Sequence, residues 1–265
     1  MMNMVKRTVC AFFLVLLVLS STGAADETKT GIVLLHGKDG IPSLLSGLAD
    51  ALKKNGFIVT VPEMPYSRYR GFDKAYEDTV SEIDRAIAEI RSKGAKRIFI
   101  AGHSLGANVA LYYGTKVQVD GIVAVAPGHA PEAKRYASSV GGSVETARKM
   151  VSEGNGDKIG IFDDYNQGKR ETRKVTAKIY LSYTDPQGPA VMPTNAAALK
   201  PGTALLWVVG TQDPMYQSGP SYAFEKAPPN QNNKYVVVDS NHMNTPNVAA
   251  EEIVAWLKAF KGSTE

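Results

Sequence analysis

The stretch Ile98-Phe99-Ile100-Ala101-Gly102-His103-Ser104-Leu105-Gly106-Ala107-Asn108 constrains this chain more than any other. It reads as a buried apolar strand, a G-x-S-x-G turn and the first turn of a helix. Few folds drive a strand into a helix through so abrupt a corner, and the corner has a chemical use. A serine hydroxyl is a weak nucleophile until it is held exposed beside a base, and Ser104 at the tip of such a turn is held in a strained backbone conformation. Gly102 and Gly106 are needed where strand and helix come too close for a Cβ. The helix N-terminus behind Ser104 offers backbone N–H groups to a developing oxyanion. Five residues make a short pattern, so the flanking chain has to carry the rest of the argument.

Residues 31–35 (GIVLL), 56–61 (GFIVTV), 97–101, 121–126 (GIVAVA), 203–209 (TALLWVV) and 234–238 (KYVVV) are apolar runs rich in branched side chains. Between them lie helical patterns. One spans 41–54, with Leu44, Leu45, Leu48 and Leu52 on one face, and another spans 76–92, with Val80, Ile83, Ile87 and Ile90. Two more fall at 107–113 and 248–260. Continuous apolar strands separated by helices predict an α/β fold, a doubly wound, mostly parallel sheet with helices on both faces. Right-handed crossovers put the strands' carboxyl ends on one edge, outside which ligands bind in such sheets. Residues 128–200 break the alternation, with a polar helical piece at 131–152, a Gly/Asp/Asn-rich stretch at 154–168 and a strand-like run at 175–183. A structureless loop of that length is rare. We read it as a lid-like insertion, with helices of its own, over the crevice of a single domain spanning 26–265.

The first 25 residues stand apart from that core. Lys6 and Arg7 precede an unbroken apolar run at 9–19, and Ser20-Ser21-Thr22-Gly23-Ala24-Ala25 is small and cleavable. This is the pattern of a secretory signal peptide, which predicts cleavage after Ala25 and an exported protein, periplasmic or secreted. The run falls short of the about 20 residues a bilayer span needs, so no stable membrane insertion is expected after cleavage. Cys10, the one cysteine, lies in this segment. What remains has no thiol for a disulfide, for catalysis or for a metal site. It carries 28 basic and 26 acidic side chains, a balance of +2. With no basic run, that balance argues against nucleic acid as a partner.

Four histidines bound the search for a base. His36 follows the first strand, His103 sits inside the turn, His129 follows the 121–126 strand and His242 follows the 234–238 strand. In a doubly wound sheet the nucleophile, the acid and the histidine come in that order along the chain. His129 and His242 lie beyond Ser104, and His129 has no strand-end acid before it, so His242 is the preferred base. The acid is expected after the preceding strand, where Leu205-Leu206-Trp207-Val208-Val209-Gly210-Thr211-Gln212-Asp213-Pro214 supplies Asp213. Asp185 is the alternative, and Asp239 lies too near His242. An oxyanion would take one N–H from Leu105 and one from the loop His36-Gly37-Lys38-Asp39-Gly40. There Gly37 lets the chain turn close to the serine, the Lys38 amide is the candidate donor and His36 shapes the loop. The 63–72 loop reads as surface with solvated Arg68 and Arg70, and Met192, Met215 and Met243 read as gap-filling side chains. Asp163-Asp164-Tyr165-Asn166-Gln167-Gly168 has its oxygens at the wrong spacing for calcium. Gly154 and Gly156 lack the strand that a nucleotide fingerprint requires. No His/Glu spacing suggests zinc. Neither a metal nor a cofactor is expected.

His36-Gly37, Gly102-His103-Ser104-Leu105-Gly106, Asp213 within Gly210-Thr211-Gln212-Asp213, and His242 together resemble the α/β-hydrolase superfamily, in its compact bacterial esterase and dienelactone-hydrolase-like form. The resemblance covers most of 26–265 and lapses over 128–200, where insertions vary. Asn241 stands before the histidine where glycine is frequent, and Ser104 stands where the dienelactone branch uses cysteine. The resemblance implies a serine hydrolase that cleaves a small-molecule carboxylic ester through an acyl-enzyme on Ser104, with Asp213 and His242 completing a triad. An amide or thioester hydrolase with the same triad, and a non-catalytic binding protein on the same fold, are the alternatives. One fold hosts many substrates, so the resemblance speaks to mechanism and leaves the substrate and the oligomeric state open.

Overall fold

The computed structural model describes residues 29–262, so the expected leader, its cleavage point and Cys10 lie outside the described residues. The chain enters the sheet at β1 (Thr30–Leu35), buried along its whole length. β1 pairs on one side with the short strand β2 (Ile58–Thr60) and on the other with β3 (Arg97–Ser104). α1 (Ser46–Lys54) and α2 (Thr79–Ser92) make the crossovers. α3 (Leu105–Lys116) follows β3 with no residue between and leads to β4 (Gly121–Pro127). Next come α4 (Lys134–Ser152), an antiparallel hairpin of β5 (Ile159–Asn166) and β6 (Lys169–Thr176), α5 (Ala177–Thr184) and α6 (Met192–Ala197). β7 (Ala204–Gly210), β8 (Lys234–Val238), α7 (Thr245–Val248) and α8 (Ala250–Ala259) complete the fold.

The main sheet runs β2-β1-β3-β4-β7-β8 with every pair parallel, the doubly wound α/β arrangement expected from the alternating runs. Side chains alternate between its faces. Val33, Leu35, Ile98, Ile100, Ile122 and Leu205 join a core with α2 and α3, while Ile32, Leu34, Phe99, Val123, Leu206 and Val208 join one with α1 and α8. Both faces of the inner strands β1, β3, β4 and β7 are buried, which is why they read as continuous apolar runs. From β1 the chain winds outward to β2 and then crosses back to β3. The reversal of strand order between β1 and β3 opens a crevice at their carboxyl ends. Among the described residues no helix is long and apolar enough to cross a membrane.

Three local expectations need correction. The strand-like run at 175–183 is mostly helix α5, because the Thr176 side chain caps the Ile179 N–H and the buried residues Ala177, Tyr180, Tyr183 and Thr184 fall at helical spacing. The polar 159–176 segment is a hairpin closed by Gln167 and Gly168, with φ of 47° and 84°, the two positive values that a tight two-residue turn demands. Leu44 leaves the stripe predicted for 41–54. Pro42 starts a single 3-10 turn, Pro42–Leu45, that rotates Leu44 outward to 52% exposure.

Candidate active site

The β3–α3 corner is as sharp as its sequence requires. Ser104 adopts φ 57° and ψ −121°, a left-handed value that a non-glycine residue holds only when its surroundings enforce it. A Cβ on Gly102 would lie 2.2 Å from the Gly106 carbonyl carbon, and one on Gly106 would lie 2.4 Å from the Leu35 carbonyl oxygen. Two absent methyl groups therefore allow strand, turn and helix to meet. The register between β3 and β4 also slips between His103 and Ser104, a local irregularity at the end of the strand.

Ser104, Asp213 and His242 come together there from three separate strand ends. His242 Nε2 lies 3.0 Å from Ser104 Oγ, and His242 Nδ1 lies 2.6 Å from Asp213 Oδ2. Asp213 is buried, and its other oxygen accepts the Met215 N–H at 2.7 Å, so both oxygens are committed. The His242 loop is tied at several points. The Asn241 carbonyl accepts from Thr245 N and Oγ1, and Asn241 Oδ1 accepts the Asn244 N–H at 2.9 Å. Asparagine thus builds the turn by side-chain hydrogen bonding where glycine would build it by backbone freedom.

The remaining histidines are structural in their contacts. His103 Nε2 donates to the His242 carbonyl at 2.9 Å, and burial, reinforced by the adjacent His242, pushes its pKa down to about 4. His36 Nδ1 donates to the Gly37 carbonyl, and its Nε2 accepts the Met64 N–H at 3.1 Å, which shapes the 36–40 loop. Burial lowers its pKa too. His129 donates to the Tyr183 carbonyl at 2.7 Å, and burial takes its pKa to about 4. Asp185 pairs with Arg148 at 2.7 Å, and Asp239 accepts from Thr211 Oγ1 at 2.9 Å, so neither touches His242.

Two backbone amides, those of Leu105 and Lys38, are the expected oxyanion donors. Leu105 is the first residue of α3, so its N–H has no acceptor within the helix. Across the crevice, a Cβ on Gly37 would stand 3.1 Å from Ser104 Cβ, which measures how closely the 36–40 loop abuts the serine. Asp39 N–H is taken by the Tyr66 carbonyl and Gly40 N–H by the Gly37 carbonyl, while among the described residues the Lys38 N–H has no acceptor.

A model of the alpha/beta hydrolase family matches residues 32–256, nearly the whole described chain. The chain belongs to the alpha/beta hydrolase family. A thermostable monoacylglycerol lipase of Bacillus sp. (strain H-257) is 26% identical to this hydrolase over 91 residues, 33% of this chain and 36% of the relative, so the alignment spans little more than a third of that protein. Among solved structures, a Paleococcus ferrophilus monoacylglycerol lipase superposes with a TM-score of 0.60 at 20% identity, over 86% of this chain and 93% of the other. A thermostable carboxyl esterase from Bacillus coagulans superposes with a TM-score of 0.62 at 14% identity, over 88% and 91%. At those identities the superpositions speak for the fold.

In this alpha/beta hydrolase a cleft with about 590 Å³ of empty space, open to solvent, reaches Ser104. Its walls are the 36–40 loop, Leu44 and Leu45, His103, the hairpin residues Asn166 and Gln167, and Met243. Met243, read above as gap-filling, is half exposed and meets Gln167 across the cleft, with Nε2 3.1 Å from its sulfur. Met192 is buried as expected, and Arg70 is engaged by Asp73 and Glu82. Among the described residues no group of three or more His, Cys, Asp or Glu side chains is arranged to hold a metal ion.

Sequence reading missed two features. Gly128, after β4, packs closely against the serine, and a Cβ there would stand 2.9 Å from Ser104 Oγ. Its only sequence signal is its place at a strand end. The other is a buried cluster of Lys38, Asp164, Arg173 and Asp39, which no local pattern announces. Burial raises the Asp164 carboxyl, and Lys38 and Arg173 more than reverse that, holding it well below the usual carboxylate range.

Proposed function

We propose that this protein is a serine hydrolase that cleaves a small carboxylic ester through an acyl-enzyme on Ser104. The observation that carries the reading is the hydrogen-bonded chain from Ser104 Oγ through His242 to buried Asp213. As Ser104 Oγ bonds to the acyl carbon, His242 Nε2 takes the hydroxyl proton. Asp213 holds the imidazole with Nε2 free to accept and balances its charge, while the Leu105 and Lys38 amides receive the oxyanion. The tetrahedral centre then collapses, the bond to the alcohol oxygen breaks, and His242 returns the proton to that oxygen. Water repeats the sequence on the acyl-enzyme, releasing the acid and regenerating the serine.

The monoacylglycerol lipase and carboxyl esterase relatives support an ester as the substrate. The apolar wall of Leu44, Leu45 and Met243 supports an acyl chain of modest length. The leader motif supports export before action. In purified protein, a fluorophosphonate probe is expected to add one mass label at Ser104, and Ser104→Ala is expected to lose both label and ester turnover while keeping its thermal midpoint. Unchanged turnover by the alanine variant would remove the proposal. A panel of matched esters, thioesters and amides ranks the acyl groups and leaving atoms.

A further inference from the structure

One hairpin grips two consecutive residues of the loop that faces Ser104. Lys38 Nζ donates to Asp164 Oδ1 on β5. Arg173 on β6 donates from Nε to the other oxygen of Asp164 at 2.8 Å, and its terminal nitrogens fork the Asp39 carboxylate at 3.1 and 2.9 Å. The guanidinium also lies 4.0 Å from the centre of the Phe72 ring. Lys38 and Asp164 side chains are 5% and 2% exposed, and they stand 126 positions apart in the chain. Asp39 is held at φ 52°, a left-handed conformation that a non-glycine residue maintains under outside constraint. The cluster contains two cations and two anions, so it is balanced as it stands. Removing one member leaves a buried charge uncompensated.

These anchors sit on Lys38, whose amide is unpaired among the described residues, in the loop that lines the Ser104 cleft, and on the residue after it. A shift of the hairpin therefore moves the Cα that carries the Lys38 N–H. A hydrogen bond to an oxyanion weakens steeply as its angle or length departs from the optimum. The same hairpin supplies Asn166 and Gln167 to the cleft wall, so wall and donor loop form one ion-paired unit. Resting on the acyl-enzyme reading above, we propose that Asp164 and Arg173 are positioning residues for the reaction, fixing the Lys38 amide where the oxyanion forms.

The test uses the purified full-length wild-type protein beside Asp164→Asn, Arg173→Lys and Asp39→Asn, with p-nitrophenyl acetate and butyrate as substrates. For Asp164→Asn, kcat is expected to fall by on the order of tenfold to a hundredfold, short of the loss from deleting a donor outright. The factor is expected to be the same for both esters, with KM within about threefold of wild type, because oxyanion stabilisation is indifferent to acyl length. Arg173→Lys keeps one charge but not the fork, and is expected to retain an intermediate kcat. A loosened cleft wall with no effect on the amide would instead raise KM and act more on butyrate; that pattern, or kcat within twofold of wild type, overturns the proposal. If Asp164→Asn does not fold, Asp39→Asn decides the matter, since it breaks the more exposed arm and spares the inner pair. It is expected to show the same acyl-independent drop in kcat, and kcat within twofold of wild type overturns the inference. A wild-type protein that neither labels with fluorophosphonate nor turns over either ester removes the acyl-enzyme reading itself, a separate outcome.

Discussion

Gly128 shows how little room surrounds Ser104 Oγ. A methyl group there would come to 2.9 Å from Ser104 Oγ and 3.4 Å from His242 Cε1, inside the volume that the Ser104 hydroxyl and the His242 imidazole share. Gly128→Ala is expected to lower kcat by more than tenfold and leave the thermal midpoint within a few degrees of wild type, since the position is not in the left-handed region. Steady-state kinetics beside a melting curve checks both halves, and a full-rate alanine variant would contradict the geometry. Gly106 makes the opposite case. Its neighbour at 2.4 Å is the Leu35 carbonyl, rigid backbone at the end of β1, so a side chain there threatens the fold as well as the rate.

At the scale of elements, the 3-10 turn before α1 turns a core-type residue into a cleft wall. Leu44 is expected to touch the acyl chain, so Leu44→Ala should lower kcat/KM on butyrate relative to acetate by about 1 kcal/mol, roughly fivefold. Stability should hardly change, because Leu44 is already half exposed. An unchanged butyrate-to-acetate ratio would place the acyl chain elsewhere. The same turn shows where sequence reading stops. The four inner strands were legible because each is an apolar run buried on both faces, and Ser104, Asp213 and His242 were singled out because each follows an apolar run. The hairpin was not legible: β6 reads Lys169-Arg170-Glu171-Thr172-Arg173-Lys174, and its strand character comes from pairing with β5 and not from burial. Asp164 and Lys38 meet across 126 residues, a distance over which hydrophobic period carries no information. His103 drew no role from its place inside the turn, because its partner is a backbone carbonyl in the distant loop after β8.

At the scale of the whole molecule, the buried imidazoles make the fold sensitive to acid before its carboxylates do. His103 and His129 accept protons at about 4 in the fold and near 6.5 in the unfolded chain. The unfolded state therefore binds more protons between those values. The stability these groups contribute is complete above about pH 6.5 and is lost as the pH falls through 4, on the order of a few kcal/mol between them. Glu82 extends the loss downward. Burial raises its carboxyl, but Arg70, Arg85 and Lys74 bring it to about 2, so its contribution fades from pH 4.5 toward 2. Urea midpoints at pH 7, 5.5 and 4.5 are expected to decline steadily, and a midpoint that stays level across that range would rule out neutral buried histidines.

The hydrogen bond from His103 to the His242 carbonyl ties the two halves of the proposed proton transfer into a common frame. The donor oxygen and the accepting ring belong to segments 138 residues apart, yet the side chain next to the serine holds the backbone of the ring. When either segment breathes, its companion is carried along, so thermal motion displaces the pair as a unit and the gap a proton must cross is buffered against it.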